Sequence, residues 1–316
     1  MDKKILIQAL KGKREKEGLS LRKLSEKIGV SFSSLARIER GDGQPDNNST
    51  LRILEWLGSD GRNAGLTFEN VALVHFRAAK NVSSKTTEHL LEAADVLKNK
   101  FSNAFPDAIR EDYQNSSSSE VDEKALSLSK SEMEEMAEKV RSDLGLKIEE
   151  KLNALSLRIA GVEVFVPHEV EELSQKSLEC LTGSGSNEWS AMSVPINIAD
   201  DKWAILRNDT HTEERQRVTY LEECWHILLG HKLTKIARIG AAYGRTYEST
   251  EEHDAYYIAA ATLLPANGIS SLVDQKLSSV EIGETYGTSP ALVEYRIKRL
   301  GLWRRYKGIQ ISFTSE

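Results

Sequence analysis

The chain has 316 residues, 40% hydrophobic and 28% charged, with a net charge of −6 and two cysteines, which suits a globular protein of roughly two or three domains. Cys180 and Cys224 lack a CxxC partner, so a disulfide framework is excluded and a reducing cytoplasm is expected. The longest apolar stretch, around IAAATLLPA, is too short to span a bilayer, and no apolar signal-type run opens the chain, so no membrane partner is expected.

Charge is unevenly spread. Eleven Lys or Arg against five acids between residues 2 and 40 leave that end at +6 and the remainder at −12, the pattern of a DNA-contacting module on an acidic body. Within it, Ile5 to Glu17 reads as a first helix ended by Gly18. A second runs from Leu19-Ser20 to Ile28 and a third from Phe32 to Arg40, joined by Gly29-Val30-Ser31. Two short helices around a tight glycine turn predict a helix-turn-helix, whose second helix enters the major groove. Leu24, Ile28, Val30, Leu35 and Ile38 are its expected core, and Ser31 the expected N-cap of the third helix.

GLSLRKLSEKIGVSFSSLARIERGDGQPDNNSTLRILEWLG resembles the helix-turn-helix of the Xre and Cro repressor family, from about Ile5 to Gly58. The resemblance implies a double-stranded operator as partner. By it Phe32, Ser33, Ser34 and Arg37 face bases, and Arg14, Arg22, Lys23 and Arg40 are candidates for phosphate contacts. Leu21 stands where the family usually has a DNA-touching glutamine. The domain is taken as residues 1–62.

Residues 63–105 continue as helical, with apolar Val71, Leu73, Val74 and Phe76 and then Leu90, Leu91, Ala94 and Leu97, separated by polar NVSSKTTE. An αα-hairpin is expected there, either a connector or the interface of a homodimer. QNSSSSEVDEK marks residues 106–130 as a flexible linker.

Past the linker an amphipathic helix is predicted over Ser131 to Leu144, then another to about Ala160. Gly161 to Val166, Trp189 to Pro195 and Lys202 to Arg207 read as strands, so the fold class is mainly α with a small β-sheet, α+β. Glu213 to Gly230 follows as a helix, with Thr210 and Glu213 at capping-box spacing and Val218, Leu221, Trp225 and Leu228 facing a core. Glu222 and His226, one turn apart, share a face on which both could hold one metal ion. With Glu223 between them they match the H-E-x-x-H pattern of zinc peptidases except at its first letter. A solvated acidic helix edge beside a packed histidine is the plainer alternative. A further helix is predicted over EEHDAYYIAAATLLP, stopping before Pro265. Glu251, Glu252, His253 and Asp254 open it, and spacing does not choose among them as a third ligand; acids placed to suit the helix dipole would look the same.

NDTHTEERQRVTYLEECWHILLGH followed by DAYYIAAATLLP resembles the ImmA/IrrE metallopeptidases, whose members often have an Xre-type domain and cleave repressor proteins. The likeness covers about residues 131–265, in a domain taken as 131–268. It implies His226 as the second histidine ligand, Glu223 as the general base, Asp254 in place of the third, glutamate, ligand, and His231 behind the ligands or facing substrate. Two ligand positions depart from the family, Glu222 for histidine and Asp254 for glutamate. A harder, more anionic set keeps zinc as the expected ion and admits manganese, or no metal in a silenced site.

LSSVEIGETYGTSPALVEYRIKRLG, in the closing segment 269–316, lines up with LSLRKLSEKIGVSFSSLARIERG at an offset of 258 residues. This second helix-turn-helix pattern, basic at its end, is expected to pack or to recognise substrate rather than bind nucleic acid. The whole reads as a DNA-binding regulator fused to a metal-dependent endopeptidase that cuts a protein partner, such as a transcriptional repressor. The alternatives are a non-enzymatic transcription factor or an antitoxin-like protein with a silent sensor domain.

Overall fold

The computed structural model describes residues 3–66, 69–78, 82–102, 128–197, 200–231, 233–239, 242–245 and 249–309. The first unit is α1 (Lys3–Lys16), α2 (Leu21–Ile28), α3 (Phe32–Arg40), α4 (Asn47–Leu57) and α5 (Ser59–Asn63). Ser20, Ser31 and Asp46 accept backbone N–H groups at the starts of α2, α3 and α4, while Gly29 and Gly41 stop α2 and α3 at φ 64° and 79°. Leu6, Leu10, Leu24, Val30, Leu35, Ile38, Leu51 and Leu54 fill its core.

Residues 69–78 correct the expected helical hairpin. They form a strand, β1 (Glu69–Ala78), and only the second run is a helix, α6 (Ser84–Ser102). The alternation of Ala72, Val74 and Phe76 sends those side chains into one core with Leu90, Leu91, Ala94 and Leu97 of α6, while His75 between them faces the other way. The linker expected at 106–130 lies, as far as residue 127, outside the described residues.

α7 (Lys130–Asp143) follows, and after it the predicted helix to Ala160 is absent; one short turn at Ala154–Ser156 takes its place. Arg141 explains why. Its guanidinium donates to the carbonyls of Lys147 at 2.9 Å and Glu150 at 2.6 Å, oxygens that a continuing helix would keep for itself, and to the more distant carbonyl of Thr262 at 3.1 Å. β2 (Val162–Phe165), α8 (Gln175–Glu179), β3 (Trp189–Asn197) and β4 (Lys202–Arg207) lead to α9 (Glu213–Leu228). After it come the hairpin strands β5 (Thr234–Ile239) and β6 (Ala242–Arg245), and then α10 (Ser249–Leu263), α11 (Ala266–Asp274), α12 (Ser279–Tyr286), α13 (Pro290–Arg299) and α14 (Trp303–Tyr306).

Six strands make one sheet in the order β2-β4-β3-β1-β5-β6, parallel between β2 and β4 and antiparallel elsewhere. Its β1 registers place His75 opposite Ser193 and Phe76 opposite Met192. One face carries Met192, Val194, Ala204 and Leu206 to α6; the other presents Ile205 to Tyr220 and Cys224 of α9. α9 is thus held between the sheet and α10, whose Thr262 accepts from the Trp225 indole at 3.2 Å. The first unit rests on the far edge of the sheet, where Ala237 of β5 joins its core. Among the described residues no helix is long and apolar enough to cross a membrane.

Candidate metal centre and nucleic-acid interface

Because α9 is covered on two sides, the polar residues of its middle, Arg217, Thr219, Glu222, Glu223 and His226, are buried along with Leu221 and Trp225. Thr212 stands at the N-cap without a side-chain capping bond, and Thr210 instead donates to Asn208 at 2.7 Å, so the expected capping box does not form. Of the predicted core face, Leu221 and Trp225 are buried but Leu228, near the C-terminal end, is 54% exposed. Arg215 and Arg217 anchor the helix sideways, to Ser190 at 2.8 Å and to the carbonyl of Gly287 at 2.6 Å.

Glu222, His226 and Glu252 offer ligand atoms that all lie within 4.8 Å of one another, and all three residues are buried. Two carboxylates and an imidazole, enclosed in this way, fit a divalent cation, which would offset the cost of burying the acids. Asp254, the residue that the family resemblance implies as third ligand, is not in this group. It lies two positions beyond Glu252 on α10, about 200° around the helix, and is only half-buried. The buried group that could hold an ion is therefore Glu222, His226 and Glu252.

The histidines around it have assignable tautomers. His226 directs Nε2 toward Glu252 at 3.9 Å and sets Nδ1 against Nδ1 of His231 at 2.9 Å. If Nε2 is offered to an ion, Nδ1 carries the proton and donates it to His231, whose proton must then sit on Nε2. His231 thus lies behind the ligand, one of the two places expected for it. His75 of β1 was not singled out in the sequence. Its ring stacks between Trp203 at 5.3 Å and His226 at 5.0 Å, and its Nε2 meets the carbonyl of His231 at 2.9 Å. A carbonyl only accepts, so that nitrogen holds the proton and Nδ1 is a bare lone pair, buried without a hydrogen-bond partner among the described residues. Burial pushes both His75 and His231 down to about 4, which keeps both rings neutral near pH 7.

Glu223, the expected base, accepts a hydrogen bond from the Ser193 hydroxyl of β3. It points to the sheet side of α9, where the register partner of Ser193 is His75. Trp203, Ser193 and His75 were legible only through the sheet register, which no single motif encodes.

In the first unit, Phe32 is 47% exposed and Ser33 and Arg37 are also on the surface, with Ser34 half-buried, so α3 presents the predicted base-facing residues together. Arg22, Lys23 and Arg40 are exposed beside them; Arg22 lies over the Phe32 ring at 5.8 Å and Arg40 pairs with Asp42 at 2.9 Å. Arg14 is a correction. Its fork is bound to both oxygens of Glu39 at 2.6 and 2.9 Å and to the carbonyl of Leu19 at 3.0 Å, so it clamps α1 to α3 and has no fork left for a phosphate.

The closing segment repeats the local devices. Ser278 and Ser289 cap α12 and α13, and Gly287 turns at φ 65°. Yet α13 is packed inward through Leu292, Val293, Arg296 and Ile297. Arg296 binds Glu134 of α7 at 2.8 and 2.9 Å and the carbonyl of Leu264 at 3.1 Å.

Residues 10–58 match the helix-turn-helix family, and residues 189–298 match the IrrE N-terminal-like domain. The second match begins at β3 and runs into α13, so the closing helices up to Lys298 fall within it. No curated protein and no solved structure matches the chain.

Proposed function

We propose that this chain is a DNA-binding regulator whose IrrE-like domain is a metal-dependent endopeptidase acting on a protein partner, such as a transcriptional repressor. The observation that carries the reading is the buried convergence of Glu222, His226 and Glu252 with Glu223 beside them on the same helix. Glu222 and His226 from α9 and Glu252 from α10 would hold the ion, with His231 fixing the tautomer of His226. A bound divalent ion supplies Lewis acidity toward water and the peptide carbonyl. Glu223 takes the proton from the attacking water at its carboxylate and passes it to the leaving amine. Ser193 holds that carboxylate in one rotamer. The paired carboxylates make the set harder than one with two imidazoles, so zinc binds with less advantage over manganese.

Operator binding rests on α3, whose exposed Phe32, Ser33 and Arg37 lie on one face. A second reading, a non-catalytic sensor, is favoured by one observation: Glu223 is fully buried and no peptide reaches it as the chain stands. The deciding measurement is the metal content, by elemental mass spectrometry, of wild type and of His226→Ala after exposure to zinc or manganese. Near-stoichiometric metal in the wild type that is lost in the variant is expected. Cleavage of a repressor substrate that disappears in Glu223→Gln while metal is retained then separates the peptidase from the sensor.

A further inference from the structure

Glu222, Glu223 and His226 are 1%, 0% and 2% exposed. A peptidase must bring its base within hydrogen-bond reach of an extended substrate backbone. The strand that lies over this centre is β1, which falls outside both family matches, at 10–58 and 189–298. It runs antiparallel to β3 with His75, Phe76 and Arg77 opposite Ser193, Met192 and Ala191. The same β3 residue, Ser193, that faces His75 also holds Glu223. His75 then covers His226 by stacking at 5.0 Å and is tied down through the carbonyl of His231.

Extended peptides are captured by sheets in this manner, through main-chain pairing to a strand and alternate side chains in pockets. We infer that β1 is an internal occupant of the substrate groove: the strand position beside β3 is where an extended peptide is bound, and the chain fills it with its own connecting segment. The inference rests on the peptidase reading of the centre and names its substrate class, an extended segment that replaces β1 and places a side chain where His75 sits. His75 then acts as a stopper. The opposite face of β1 keeps it in place, because Ala72, Val74 and Phe76 are locked into the core with α6. Closed is the resting state.

The strand also belongs to the DNA-binding side of the molecule. Leu66 packs in the core of the first unit, and Ala237 of β5, the other neighbour of β1, packs in that same core. Displacing β1 therefore disturbs the seat of the DNA-binding unit, and substrate capture and operator binding pull on one strand.

The test uses the full chain loaded with zinc and mixed with excess chromogenic chelator. Transfer from the wild type is expected to be slow. His75→Ala, which removes the stack and the bond to His231, should speed it about tenfold, the change that about 1.4 kcal/mol makes in an opening equilibrium. In a second variant, Arg77→Cys with Ala191→Cys, a disulfide joins register partners whose ladder spacing of about 4.5–5.5 Å suits it. Oxidised, this protein should release zinc more slowly than wild type and cleave no added peptide; reductant should restore both. This pair keeps His75 and decides the matter if His75→Ala does not fold. A wild type that holds zinc, with transfer rates unchanged in the opened and locked proteins, overturns the plug and leaves the metal centre standing. A wild type that takes up no metal overturns both.

Discussion

Two parts of this chain carry nearly the same local pattern and put it to opposite ends. In the first unit Ser20, Gly29 and Ser31 start and stop α2 and α3; at the other end Ser278, Gly287 and Ser289 do the same for α12 and α13. At the offset of 258 residues Leu35 corresponds to Val293, both buried. Ile38 corresponds to Arg296, equally buried but salt-bridged. Arg37, exposed on the face proposed for DNA, corresponds to Tyr295, which is half-buried and meets the ring of Tyr256 edge-on at 5.1 Å. Caps and turns therefore specify where two helices start and stop and the glycine turn between them. Whether the second helix meets a groove or a core depends on what lies opposite, here Glu134 of α7.

The severest way to break the comparison is Arg296→Ala. It removes the cation from Glu134, whose side chain is 19% exposed and keeps only the Tyr257 hydroxyl among the described residues, and takes the donor from the carbonyl of Leu264. A loss of about 3–5 kcal/mol is expected, read by urea denaturation, with operator affinity of the folded protein unchanged. If the loss is under 1 kcal/mol by the scale of exposed pairs, α13 is not anchored as described. Arg37→Ala sharpens the same contrast from the other side: specific operator binding should weaken by about 1–3 kcal/mol in a gel-shift titration, with no change in unfolding. Tyr295→Phe at the corresponding position should leave the gel shift untouched.

The smallest effect is a pH dependence. Burial works to raise Glu134, but the Arg296 guanidinium and the Tyr257 hydroxyl outweigh it and hold the carboxyl below its ordinary value of 4.5. A depressed folded pKa means that the folded state binds fewer protons there, so this contribution is complete above pH 4.5 and is lost as pH falls through the folded value. Acid titration of unfolding should show that loss in wild type. In Glu134→Gln that part of the slope should be flat.

The sequence carried the helices of the first unit, the three strands around Val162, Trp189 and Lys202, and the pairing of Glu222 with His226, because each has a local signal: a cap, a glycine stop, an alternation or a one-turn spacing. It misled where two periods competed. Val71, Leu73, Val74 and Phe76 can be counted as a helix face, yet Ala72, Val74 and Phe76 alternate, and hydrogen-bonding partners more than a hundred residues away decide for the strand. Similarly, four candidate ligands, Glu251 to Asp254, stand near the start of α10, and the choice of Glu252 over Asp254 depends on which face of that helix meets α9. Arg14 and Arg141 show the same limit for cations: charge alone suggests a surface, while Glu39 and three carbonyls make them internal fasteners.

The position of β1 also sets an order of events during synthesis. The first unit is built from contacts within residues 3–66 apart from its seat on the sheet, so most of it can form as soon as those residues emerge. β1 follows immediately in the chain but pairs with β3, which begins at Trp189, and with β5, which begins at Thr234. It must wait, apolar on one face and unpaired along both edges, while more than a hundred further residues are made. That interval is when the nascent chain is most open to wrong strand pairing, and the folded domain ahead of it holds one end of the strand fixed until its partners arrive.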